Sequence, residues 1–237
     1  MKNCSKAVRL LPLLLAAACC GDEPEVGARC GFDSTAEMKN GWRQHGAVGV
    51  GRKTLFTIVD EPSAVNCKVL AVEAKNSSGF LIFRLPGLDL KKHPSMRWRW
   101  RVVRKVKQPA EPAGKPDAQT VEPDDQACVI YIADGGQMNQ KCVGYRWEHS
   151  TKVGVSRMIN YGGVRKVLAL CLRNAETPPG EWMEEERNVL EDYRKAFGRA
   201  PSARFAIIIG GNSQHTNSDT RAEIDYIEFR SAPISAM

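Results

Sequence analysis

Histidine is scarce, 4 residues in 237, and those four are dispersed. Scattered imidazoles do not make a zinc or other transition-metal site. No Cys-x-x-Cys pair occurs, which argues against a thioredoxin-like centre. No Gly-Lys-Ser or Gly-Lys-Thr follows a glycine-rich turn. The pairs Gly162-Gly163 and Gly210-Gly211 are too sparse to cradle phosphate. Ser156, within GVSRM, lacks the flanking pattern of a nucleophile elbow. A sustained strand–helix alternation is missing, so a Rossmann unit is excluded. Mean hydropathy is −0.36, which is not that of a polytopic membrane protein. A long basic stripe is also missing, and no nucleic-acid partner is expected.

The N-terminus carries the clearest local signal. Lys2, Lys6 and Arg9 precede the apolar core LLPLLLAAACC of Leu10–Cys20, and acidic GDEPE follows. A basic region, a short apolar core and small residues read as an export signal. Leu15, Ala16, Ala17 and Ala18 before Cys19 resemble a bacterial lipoprotein cleavage box. Ala16 stands where a larger aliphatic residue is usual. Cys19 is the expected lipidation site and Cys20 the alternative. The acyl chains would tether the protein to the periplasmic side of a bacterial envelope membrane without a spanning helix. Ordinary cleavage would instead leave a soluble periplasmic or secreted protein. Loss of the leader lowers the formal charge from +7 to +4. Disulfides are permitted outside the cytosol. Cys128 and Cys142 bracket an expected hairpin and are the first candidate pair.

Residues 1–19 thus read as a signal segment and 20–31 as a short tether. One domain is expected over 32–231, with a proline-rich insertion at about 107–124. Leu55–Asp60, Cys67–Ala74 and Gly79–Pro86 have strand-like composition. In MRWRWRV, Trp98, Trp100 and Val102 alternate with Arg97, Arg99 and Arg101, so aromatics and arginines take opposite sheet faces. The arginine row of Arg97–Lys107 could meet a phosphate or membrane surface, but a solvated polar strand face is the preferred reading. Ala127–Ala133, the turn DGGQMNQ and KCVGYRWEH suggest a β-hairpin. Gly163–Asn174, ARFAIIIGG and AEIDYIEFR add strands. Leu190, Tyr193 and Phe197 share one helical face, giving one short helix near 187–197 that Gly198 and Pro201 stop. The fold class is therefore all-β dominated, a β-sandwich of jelly-roll or concanavalin-like type. A single closed barrel is the alternative.

Taken in order, WRWRV at Trp98–Val102, DDQA at Asp124–Ala127, YRW at Tyr145–Trp147 and RNVLEDYRKAFG at Arg187–Gly198 resemble the bacterial domain-of-unknown-function family DUF3047. The resemblance runs from about Phe32 to Arg230. It implies an exported protein with a jelly-roll-like sandwich of a kind often used to bind carbohydrate, and no assigned reaction. The turn Gly210–Thr220 departs from the pattern. Thr216, Asn217 and Asp219 keep polar character, but the early acidic residues are missing.

The leading functional expectation is an envelope glycan bound by an aromatic sheet face. Trp98, Trp100, Tyr145 and Trp147 would stack on sugar rings, with Arg99 and Arg187 as hydrogen-bond donors. Core packing competes with that role for the tryptophans. Glu148, His149 and Asp192 are the catalytic candidates should the protein act on carbohydrate, since glycoside chemistry needs two facing carboxylates. Arg187 and Asp192 could instead form a buried ion pair. No cofactor is expected. Calcium is the one cation considered, at Asp124, Asp125 and Asp219, against a plainer role as surface turn residues. A non-enzymatic lipoprotein with an envelope protein partner is the alternative function.

Overall fold

The computed structural model describes residues 24–35, 41–46, 53–85, 87–107, 124–136 and 138–231. The signal segment, with Cys19 and Cys20, and most of the proline-rich insertion lie outside the described residues.

Two sheets face one another. The first contains β1 (Val26–Cys30), β3 (Leu55–Asp60), β4 (Lys68–Lys75), β6 (Ser95–Arg104), β11 (Met183–Asn188) and β13 (Asp219–Arg230). Its order is β11-β6-β13-β4-β3, and β1 also pairs with β13. The second contains β2 (Arg43–Gly46), β5 (Ser78–Phe83), β7 (Gln126–Asp134), β8 (Gln140–Trp147), β9 (Ser156–Tyr161), β10 (Arg165–Arg173) and β12 (Ala206–Asn212). Its order is β2-β5-β12-β7-β8-β10-β9. The two open sheets make a jelly-roll-like sandwich, not a closed barrel. Among the described residues, no helix is long and apolar enough to cross a membrane.

Period-two patterning builds the core. On β6, Met96, Trp98, Trp100 and Val102 point inward and are fully buried. Trp98 meets Tyr145 of β8 at 5.2 Å between ring centroids, and Trp100 meets Trp147 at 5.4 Å. These contacts join the two sheets. β7 and β12 are buried along their whole length. A strand covered on both faces needs no alternation, which is why ACVIYIA and AIIIGG read as continuous apolar runs.

The helix α1 (Val189–Phe197) follows β11 directly. The Asn188 side chain accepts from the Glu191 backbone N–H at 3.0 Å, supplying the N-cap. Gly198 takes φ 68° at the C-terminus, a left-handed conformation that glycine adopts without Cβ strain. Asp192 in the first turn receives two bonds from Arg187, at 2.7 and 3.0 Å, and the Tyr145 hydroxyl at 2.9 Å. The Arg187–Asp192 ion pair thus fixes α1 against β8.

Two expectations are corrected. The tether over 20–31 ends earlier, because Val26–Cys30 forms β1 against the end of β13. The Cys128–Cys142 disulfide is also ruled out. Cys128 stands opposite Trp147 and faces the inter-sheet core, whereas Cys142 stands opposite Ala133 and packs on the other side of the sheet. Five register positions separate them along β8. That is roughly 17 Å at strand rise, against the about 4–7 Å between Cα atoms that a disulfide spans.

Candidate functional site

The outer face of the seven-stranded sheet is the unusual surface of the molecule. It carries a second apolar cluster, including Val129 and Tyr131 of β7, Val167 and Ala169 of β10, and Ile208 of β12, with Phe80 of β5 packed on it. Glycines shape its floor. A Cβ on Gly144 would lie 2.5 Å from the Tyr131 ring, and one on Gly210 would lie 3.0 Å from the Phe80 ring. Both rings therefore lie close over bare backbone, the kind of approach that glycine in a strand interior permits. Arg165 of β10 reaches over the Phe80 ring, 5.6 Å from its centroid, although β10 and β5 are separated by three strands. The sheet is thus curved into a trough.

One end of the trough is a buried polar cluster. Arg146 has no exposed side-chain surface. Its Nη2 donates to Asp124 Oδ1 at 2.5 Å and to Gln126 Oε1. Its Nε lies 2.9 Å from Glu148 Oε1, an ion pair by distance, but the N–H is not aimed at that oxygen. Nη1 has no hydrogen-bond partner. Glu148 also receives a two-pronged contact from Arg157, both bonds at 2.9 Å. The Tyr161 hydroxyl donates to Asp124. Burial works against the Arg146 charge, but Tyr131, Asp124 and Glu148 outweigh it and hold the guanidinium protonated. Burial pushes the Tyr131 hydroxyl up to about 12 and raises that of Tyr161 as well, with Tyr131 and Asp124 adding to the latter.

The opposite end opens into a cavity of about 900 Å³. Trp42, Arg43, His45, Arg84, Gln140 and Arg204 are among its lining residues. Trp42 stacks one face on Phe83, at 4.7 Å and 21°. Arg43 and His45 lie on edge strand β2 and are exposed. Arg84 follows β5, and its Nε donates to the carbonyl of Arg204, two residues before β12, at 3.1 Å.

The sequence-predicted residues fall elsewhere. Trp98, Trp100, Tyr145 and Trp147 have at most 1% of their surface exposed and fill the inter-sheet core. They present no ring face to a ligand, so a stacking face made of them is corrected to core. Arg99 lies on the outer face of the other sheet, bound to Asp225 at 2.6 Å and stacked on Trp182 at 4.6 Å. The whole arginine row there is neutralised: Arg97 pairs with Glu184, and Arg101 with Glu61 and Glu223. Arg187 and Asp192 serve α1. Glu148 sits on the trough side of β8, while Asp192 reaches Tyr145 on the core side, so these carboxylates do not face one cleft. His149 has a buried Nδ1 without a partner and lies beside Glu148.

The three aspartates considered for calcium are not brought together. Asp124 serves Arg146 and Tyr161, and Asp219 pairs with Arg104 at 3.1 Å. Asp125 accepts from the Thr216 backbone at 2.8 Å, from its hydroxyl at 2.6 Å, and lies 2.9 Å from His215 Nδ1. It therefore organises the turn before β13. Among the described residues, no group of three His, Cys, Asp or Glu side chains is placed to hold a metal.

Sequence reasoning did not single out Trp42, Phe80, Tyr131, Arg43, Arg84 or Arg204. The signal that could have found the trough floor is Gly144 and Gly210, glycines inside strand-like runs.

The fold and the trough together define a jelly-roll-like β-sandwich with one curved, aromatic-bearing sheet face. The chain belongs to the family described as protein of unknown function, DUF3047, whose model matches residues 40–228. No curated protein matches the sequence. Among solved structures, the chain is similar to the family 11 carbohydrate-binding module of a cellulosomal cellulase of Clostridium thermocellum. Identity is 10% and TM-score 0.44, over 89% of this chain and 95% of that one. A carbohydrate esterase of the Shiga toxin-encoding bacteriophage phi24B aligns at 13% identity and TM-score 0.42, over 88% and 99%. The family 11 xylanase of Neocallimastix patriciarum aligns at 10% identity and TM-score 0.41, over 81% and 97%.

Proposed function

We propose that this protein is an exported, lipid-tethered envelope protein that binds a glycan, without cleaving it, in the trough of its seven-stranded sheet. The observation that carries the reading is the trough itself. Phe80 is partly exposed over glycine backbone beside the buried Tyr131, and the face opens at one end into a cavity of about 900 Å³ rimmed by hydrogen-bond donors and the partly exposed Trp42. Sugars offer an apolar ring face and a hydroxyl edge, and such a cleft meets both. A non-catalytic role is favoured by the state of the carboxylates. Glu148 is held by Arg157 and lies close to Arg146, and Asp192 is locked into the support of α1. The leader supports export, with Cys19, or alternatively Cys20, as the lipidated residue.

The test is a broad panel of neutral and charged bacterial-envelope and plant polysaccharides, followed by calorimetry on each hit with the mature protein. Saturable binding that Trp42→Ala weakens is expected, since that ring is partly exposed and lines the cavity. A folded protein with no saturable glycan would overturn the reading. Mass measurement of the processed N-terminal peptide tests the anchor: an unmodified peptide beginning after Cys20 excludes it. A second reading, a protein partner, is favoured by one observation. Met158 on edge strand β9 is 51% exposed, with Val153 and Val155 at 46% and 42% just before that strand. Recovery of one stoichiometric partner that Met158→Lys releases, with no glycan bound, would favour that reading.

A further inference from the structure

Resting on the glycan-binding reading, we infer that the ligand is an anionic polysaccharide, whose carboxylates or sulfates are held by Arg43, Arg84 and Arg204.

Three neighbouring strands bring these residues together. Arg43 of β2 stands opposite Ile82 of β5, and Ile82 stands opposite Ile208 of β12. Arg84 comes immediately after β5 and Arg204 shortly before β12, and the Arg84 bond to the Arg204 carbonyl confirms that they are adjacent. All three are exposed and line the same cavity. The described lining of that cavity contains no aspartate or glutamate. Arg29 also lines it, but its charge is answered by Glu228 at 2.8 Å.

The contrast with the other sheet is informative. There the arginines of β6 all have carboxylates, two of them, Asp225 and Glu223, buried. Among the described residues, a fold that supplies counter-charges along β6 places no carboxylate against Arg43, Arg84 or Arg204 around this cleft. Like charges on one rim repel, and an anion between them relieves that repulsion. The planar fork of arginine matches the two oxygens of a carboxylate or sulfate. Trp42, stacked by one face on Phe83, stands at the same rim and offers a surface for a sugar ring.

The test uses the mature protein and two matched pairs of polymer: polygalacturonate with its methyl ester, and dextran sulfate with dextran. Each pair shares a backbone and differs in charge, and the two pairs separate carboxylate from sulfate recognition. A charged member is expected to bind, its neutral mate to bind far less, and the affinity to fall as salt is raised. Arg43→Gln, Arg84→Gln and Arg204→Gln should each weaken binding by roughly tenfold, the scale of a lost charged hydrogen bond, with unchanged melting temperatures. Equal binding of charged and neutral chains overturns this inference and leaves the glycan reading intact. So does binding of a neutral glycan from the broad panel when neither charged polymer binds. Failure of every glycan overturns both. A single-stranded oligonucleotide that displaces polygalacturonate would reassign the rim to nucleic acid, and unchanged affinity in all three variants would remove the ligand from these arginines.

Discussion

Replacing Trp100 by alanine separates a core aromatic from a ligand platform. The ring has no exposed surface and lies 5.7 Å from Trp98 and 5.4 Å from Trp147, centroid to centroid. Burying a tryptophan removes on the order of 200 Å² from water. At about 25 cal/mol per Å² this amounts to about 5 kcal/mol. The unfolded chain already shields part of that area, which lowers the figure, and aromatic-to-alanine changes in cores cost about 3–5 kcal/mol. A domain of this size loses about 2–4 °C of melting temperature per kcal/mol, so a fall of roughly 6–20 °C is expected. Trp182→Ala is the matched control. That ring sits on the outer face of the six-stranded sheet, over Arg99 and Arg101 at 4.6 and 4.3 Å. Two such partly exposed cation–π contacts are together worth about 1–2 kcal/mol. Urea unfolding of the two variants beside the parent protein measures both. The reasoning is refuted if Trp100→Ala loses less than about 1 kcal/mol yet abolishes glycan binding, because the ring would then be a ligand surface.

Gly144→Ala should push the Tyr131 ring off the trough floor, since the new Cβ would lie 2.5 Å from it. A cost of about 1–3 kcal/mol is expected for such overpacking, with weaker glycan binding. Tyr131→Ala in the same chain should relieve the clash, so strictly additive losses in a double-mutant cycle would count against it. Burial pushes the Cys128 and Cys142 thiols up to about 12, so both should resist alkylation in the native protein and react on unfolding. Prompt native labelling, or a mapped Cys128–Cys142 peptide, would contradict this. Burial raises the Asp134 pKa, but Ser202 and Arg199 outweigh it and hold the carboxyl below its usual range. Its contribution to stability is therefore present above the unfolded value, about pH 4, and is lost as pH falls through the lower folded value. Urea midpoints should drop less steeply below about pH 4 in Asp134→Asn than in the parent; parallel curves would remove Asp134 from the acid response.

The parts of this fold that alternate are the parts legible from residues alone. RWRWR places tryptophans and arginines on opposite faces, and both the burial of Trp98 and Trp100 and the outward arginine row follow. The hairpin of β7 and β8 is legible for the same reason, helped by its glycine turn. The helix is marked by Leu190 and Tyr193 and ended by Gly198. Pairing over distance is not marked. β10 lies parallel to β8, with β9 on its far side, and nothing local to Ser156–Tyr161 signals an edge strand. The glycan expectation looked to the most conspicuous aromatics, and conspicuous aromatics in a sandwich are first of all its filling. Phe80 and Tyr131 are less prominent, and their role depends on Gly210 and Gly144, which only the sheet register brings beneath them. Arg43, Arg84 and Arg204 are distant in sequence and meet only because β2, β5 and β12 are neighbours.

The placement of β13 has a consequence for when the protein can fold. Residues 219–230 form an interior strand of the six-stranded sheet, hydrogen-bonded to β6 on one side and to β4 and β1 on the other. Val26 near the start of the described chain pairs with Arg230 near its end. The first sheet therefore cannot close until residues 219–230 are available, and contacts of such long range fold slowly. A polypeptide threaded N-terminus first through a membrane pore would release β13 after every other strand of that sheet. It would cross as an open chain and assemble only on the far side. With Cys128 and Cys142 unable to join, that assembly would need no disulfide between them.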